Sequence, residues 1–100
     1  MTNSPCPAYV IGHLTVKDNE HWAAYRSQVP TTLAPWQGEL VFRGSRPEIL
    51  AGQHPHQDTV VIRFPSREAA HGWYQSAAYQ ALIPLRKAAA DLDLILVDAL

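Results

Sequence analysis

The run at residues 59–64, Thr-Val-Val-Ile-Arg-Phe, stopped by Pro65 and Ser66, constrains the fold most. Val60, Ile62 and Phe64 alternate with Thr59, Val61 and Arg63, the period of a strand with one apolar face. Pro65 lacks the N–H that a strand ladder needs, and Ser66 is a preferred helix N-cap. A strand that feeds directly into a helix needs neighbouring strands and must bury its apolar row under that helix.

The other elements follow from the same two periods. At residues 8–16, Val10, Leu14 and Val16 point one way with Gly12 among them, while Tyr9, Ile11, His13 and Thr15 point the other. Asp18 is a candidate N-cap, and Trp22, Tyr25, Arg26 and Val29 recur at helical spacing, predicting a helix over residues 19–29. Pro30 then opens a second short turn over residues 31–36, stopped by Gly38. Residues 39–43 alternate as a second strand, with Leu40 and Phe42 on one face and Glu39, Val41 and Arg43 on the other. Gly44-Ser45-Arg46-Pro47 interrupts it, and residues 48–51 are expected to resume it after a bulge as a long, bent edge strand. Residues 52–57 form a turn. After Ser66, Ala69, Ala70, Trp73 and Ala77 share a helical face; Ser76 is a second cap, Pro84 breaks the pattern, and residues 85–90 form a last helical piece. Residues 94–97 close the chain as a strand.

The order strand, helix, strand, strand, helix, strand is that of a ferredoxin-like α+β fold, βαββαβ. Right-handed crossovers place both helices on one face of a four-stranded antiparallel sheet. Its helix-facing set is Val10, Leu14, Leu40, Phe42, Val60, Ile62 and Phe64. One hundred residues, 47% of them hydrophobic, fit a single domain over residues 1–100, with residues 1–7 irregular.

Charge narrows the partners. Eight basic and nine acidic residues leave a formal net charge of -1, without the basic stripe that nucleic acid or an anionic membrane requires. No apolar run is long enough to span a bilayer, and the start lacks the basic and apolar regions of a secretion signal, so the cytoplasm is the expected location. The single cysteine, Cys6, has no internal disulfide partner. His54-Pro55-His56 brings only two imidazoles on a loop, too few for a metal site. No phosphate loop, nucleophile elbow, paired-carboxylate pattern or cofactor motif is present, so neither cofactor nor metal is expected.

The second face of the sheet would carry Tyr9, Ile11, His13, Val41, Arg43, Val61 and Arg63. Such a mixed face calls for a partner, and a second copy is the simplest. Two sheets meeting face to face would close an eight-stranded barrel with the helices outside. Arg43, Arg63 and His13 would then need carboxylates or a bound anion, with Glu39, Glu48 and Asp98 as candidates.

Several phrases resemble a known family: Tyr9-Val-Ile-Gly-His, Phe42-Arg-Gly, Pro47-Glu-Ile-Leu, Val61-Ile-Arg-Phe-Pro-Ser-Arg-Glu-Ala, Trp73-Tyr-Gln-Ser and Tyr79-Gln with Leu85-Arg. They resemble the DUF1330 proteins, small bacterial members of the dimeric α+β barrel superfamily. The resemblance runs from about Tyr9 to Val97 and implies the fold and a homodimer, but no reaction. The chain reads Ser76-Ala77-Ala78-Tyr79 where such proteins commonly have Ser-Pro-Glu-Tyr, and Arg43-Gly44-Ser45 where they often have Arg-Gly-Gly.

Taken together, the residues predict a pocket in each subunit between the sheet and the second helix. It would bind a small anionic or aromatic organic molecule and could serve a cofactor-free enzyme. His13 is the acid–base candidate, Arg43 the anion clamp, and Trp73, Tyr74, Tyr79 and Arg86 the ligand-binding set. The alternative is a non-catalytic homodimeric module in which interfacial carboxylates neutralise Arg43 and Arg63.

Overall fold

The computed structural model describes residues 6–100. The irregular start expected at residues 1–7 lies mostly outside them; Cys6 and Pro7 lead into the first strand without regular structure. In chain order come β1 (Ala8–Val16), α1 (Asn19–Leu33), β2 (Glu39–Ser45), β3 (Asp58–Phe64), α2 (Arg67–Gln75), α3 (Ala77–Gln80), α4 (Ile83–Ala89) and β4 (Ala90–Asp98). The strands form one antiparallel sheet in the order β2-β3-β1-β4. This is the ferredoxin-like arrangement, and β4 is longer than expected, pairing along the whole of β1 from Ala8↔Asp98 to Val16↔Ala90.

The helices start where the polar caps predict. Asp18 accepts from the His21 N–H at 3.0 Å, and Ser66 from the Ala69 N–H at 3.1 Å. Ser76 joins two helices: its hydroxyl donates to the Trp73 carbonyl at 2.7 Å and accepts from the Tyr79 N–H at 3.2 Å. Pro84 sits in the first turn of α4, where its missing N–H is harmless, so it opens that helix instead of breaking it. Pro30 does not end α1 as expected. The helix runs through it to Leu33 and tightens into a 3₁₀ turn at Ala34–Trp36. The proline deprives one carbonyl in the preceding turn of its donor, but its φ is compatible with the helix.

Val10, Leu33, Ile62, Phe64, Ala70 and Trp73 form the core between sheet and helices, with Tyr25, Tyr79 and Leu82. α2 lies on the sheet. α1 does not: it packs along α4 and scarcely approaches any strand. That separation leaves the space described below.

The largest departure from the sequence pattern is in β2. The register runs Leu40↔Ile62 and then Phe42↔Val61, so Val41 is an extra, bulged residue. Beyond it the faces exchange. Phe42, expected under the helices, stands with Val61 on the outer face and is 52% exposed. Arg43, expected on the outer face, pairs with Val60 and turns toward the helices. The bulge thus precedes the Gly44-Ser45 site where it was expected, and residues 48–51 form no strand but a loop with exposed Ile49 and Leu50.

The outer face carries Tyr9, Ile11 and His13 from β1, Phe42 from β2, Val61 and Arg63 from β3, and Ile95 and Val97 from β4. Ile95 is 49% and Val97 37% exposed, so this side of the sheet presents a contiguous apolar patch.

Candidate functional site

The gap between α1 and the sheet is a cavity of about 610 Å³, within the range of small-molecule sites. Its walls are mostly apolar: Leu14, Val60 and Ile62 from the sheet, Leu92 and Leu94 from β4, and Val29, Pro30 and Leu33 from α1. Trp22, Tyr25, Trp73 and Tyr79 add aromatic surface. The aromatic side is closely packed, with ring centroids 4.3 Å apart for Trp73–Tyr79, 5.4 Å for Phe64–Trp73 and 5.1 Å for Trp22–Tyr25.

Two arginines, both solvent-exposed, border this lining. Arg43 arrives from β2 because of the Val41 bulge, and Arg26 from α1. Partial desolvation lowers the Arg43 pKa from its ordinary value, and the nearby Arg26 charge pushes the same way. Neither forms a salt bridge among the described residues; the expected Arg43–Glu48 pair is absent there. Asp58 and Ser45 lie in the same lining.

Two tyrosines of the same lining belong to a hydroxyl chain. The Arg86 Nη1 donates to the Tyr79 hydroxyl at 2.9 Å, and the Tyr79 and Tyr25 hydroxyls lie 2.8 Å apart. Burial raises the Tyr25 pKa, and the neighbouring Tyr79 adds to the effect, so Tyr25 is a neutral phenol under ordinary conditions. The Trp73 indole N–H donates to Thr32.

The structure therefore brings Arg43, Trp73 and Tyr79 into one cavity and connects Arg86 to it through Tyr79. Tyr74 packs on Tyr79 at 5.3 Å but lines a separate pocket of about 190 Å³ with His71, Val10 and Leu96. The main cavity lies under α1, whereas the expected pocket lay beside the second helix. His13 is elsewhere. It stands on the outer face, its Nδ1 3.1 Å from the Thr59 hydroxyl and its ring against His54 at 4.9 Å. The sheet separates it from Arg43, correcting the expectation that the two share a face. His56 is held by Asp93 at 2.8 Å and Thr15 at 3.1 Å. Among the described residues no group of three or more potential metal ligands converges.

Tyr25, Arg26 and Asp58 were not singled out by sequence. The signal for Arg26 was its place in the stripe of Trp22, Tyr25 and Val29, where a charge inside an apolar row marks a lined space or a wet edge.

Comparison with known proteins bears on the fold. The family described as a domain of unknown function, DUF1330, matches residues 7–100. No curated protein matches the chain. A protein of unknown function from Rhodopseudomonas palustris is similar in structure, with a TM-score of 0.80 at 19% identity, covering 95% of this chain and 83% of that one. SnoaB, a cofactor-independent oxygenase from Streptomyces nogalater, aligns with a TM-score of 0.67 at 12% identity over 95% of this chain and 94% of that one. A dimeric ferredoxin-like protein of unknown function from Thermobifida fusca aligns with a TM-score of 0.64 at 9% identity, covering 99% and 96%.

Proposed function

The chain belongs to the DUF1330 family, whose description assigns no activity, and from that premise we propose that it binds a small aromatic molecule bearing an anionic group in the cavity under α1. Arg43 and Arg26 hold the anion, and the rings lie against Trp22, Trp73 and Tyr79. One observation carries this reading: a bulge turns Arg43, still solvent-exposed, to the helix side of the sheet, where it borders a largely apolar space of about 610 Å³ and has no carboxylate within salt-bridge distance among the described residues. A guanidinium at the edge of an apolar space suits a carboxylate or similar oxyanion, which it meets with two parallel hydrogen bonds.

The protein works as a homodimer in this reading, with the apolar outer faces of two copies in contact. The exposed row of Phe42, Ile95 and Val97 supports it, as does the dimeric ferredoxin-like protein with the same fold. The setting is the cytoplasm; among the described residues no helix is long and apolar enough to cross a membrane. The fold also houses a cofactor-independent oxygenase, and bound aromatic acid is a reasonable starting point for such chemistry. His13, on the far side of the sheet, takes no part in the cavity under this reading.

Naphthoate is a suitable probe, followed by its own fluorescence or by calorimetry. Wild-type protein should bind it, and Arg43→Ala should weaken binding by about tenfold or more, the net worth of a charge-assisted hydrogen bond. Naphthalene methanol, the uncharged analogue, should bind more weakly to wild type and equally to both proteins. Failure of naphthoate to bind wild type ends the proposal, and equal affinity for the charged and neutral probes removes the arginine clamp.

A further inference from the structure

The Arg86–Tyr79–Tyr25 chain leaves one hydrogen over. Arginine has only donors, so Arg86 must donate to the Tyr79 oxygen. The Tyr79–Tyr25 contact can then be made in two ways. If Tyr79 donates to Tyr25, the Tyr25 hydrogen is free. If Tyr25 donates to Tyr79, the Tyr79 hydrogen is free. Three hydrogens serve two bonds in either case, and both tyrosines line the cavity while being almost fully buried. The positive charge on Arg86 favours the first arrangement, because an oxygen that accepts from a cation becomes a better donor.

We infer that this spare hydroxyl hydrogen is the second recognition point of the cavity, and that the ligand carries a neutral acceptor oxygen, a ketone or quinone carbonyl, in addition to its anionic group. The inference rests on the cavity reading above and sharpens its ligand class to keto-substituted aromatic acids. Burial keeps the Tyr25 phenol protonated, so the chain presents a donor to the ligand and not a base. An apolar substituent at the same place would leave a buried hydroxyl hydrogen without an acceptor, which is the penalised state.

The test compares acetylnaphthoate with isopropylnaphthoate, two probes of nearly equal shape that differ in one acceptor oxygen. Wild-type protein should bind the acetyl probe about fivefold more tightly, as one net hydrogen bond implies. The acetyl carbonyl stretch should move to lower frequency on binding. The double variant Tyr25→Phe/Tyr79→Phe, which keeps both rings, should lose the preference and the frequency shift. Equal affinity of wild type for the two probes overturns the inference and leaves the cavity reading intact; that comparison needs no variant to fold. A preference that survives in the double variant also overturns it. Absence of any naphthoate binding to wild type overturns both readings.

Discussion

The indole N–H of Trp73 donates to the Thr32 hydroxyl at 3.0 Å, and that hydroxyl donates in turn to the Val29 carbonyl at 2.6 Å. Trp73 belongs to α2, which lies on the sheet, and Thr32 to the last turn of α1, which does not. The bond ties the helix over the cavity to the core. Both side chains are buried, so removing the hydroxyl leaves the indole without an acceptor. Thr32→Val, nearly isosteric, should lower the unfolding free energy by about 1–3 kcal/mol, measured by urea denaturation. Thr32→Ser should restore most of it. A Thr32→Val protein as stable as wild type would show that the bond has no structural weight.

Gly72 lies in α2 where the Trp36 ring packs against the helix. A β-carbon there would sit 2.2 Å from the nearest atom of that ring, so Gly72→Ala must displace Trp36. The usual gain from replacing a helical glycine is less than about 1 kcal/mol, and overpacking costs about 1–3 kcal/mol. We expect net destabilisation and a change in tryptophan fluorescence. A stabilised variant with unchanged emission contradicts this packing.

Tyr25 links stability to alkaline pH. Its folded-state pKa is raised above the ordinary value of 10.0 by burial and by Tyr79. The contribution is therefore complete below that value and falls away as pH rises beyond it, because the unfolded chain ionises first. Midpoints of thermal unfolding should fall progressively as pH rises above about 10, and Tyr25→Phe should flatten that slope. An unchanged slope in the variant would place the linkage elsewhere.

Phe42 is the outer-face residue that the bulge creates. If two copies meet through this face, Phe42→Glu buries a carboxylate between Val61 and the outer face of the second copy. Sedimentation should then show wild type at twice the chain mass and the variant at the mass of one chain, with secondary structure retained. Wild type sedimenting as a single chain at micromolar concentration would remove the homodimer.

How much of this was legible in the sequence depended on whether the signal was local. The caps Asp18, Ser66 and Ser76, the alternation of residues 59–64 and the element order all stand as read, because each is set by a few neighbouring residues. Strict alternation failed in β2. Val41 carries no glycine or proline mark of a bulge, and its register is set by β3 across the ladder. One extra residue moved Phe42 outward and Arg43 inward. That single shift placed Arg43 in the cavity and separated it from His13. Arg86 and Tyr79 were read as members of one ligand-binding set; the continuation from Tyr79 to Tyr25, 54 residues away in the chain, was not read.

α1 rests on α4, scarcely approaches the strands and is pinned to α2 at its last turn, so it is a ceiling held along one wall and at one corner. Such a ceiling can settle onto a smaller guest or lift for a bulkier one without parting any rung of the sheet. Choosiness about girth should therefore be loose. Choosiness about where a guest carries its oxygens should be tighter, since Arg43 rides on the strands and Tyr79 is braced from α4 by Arg86.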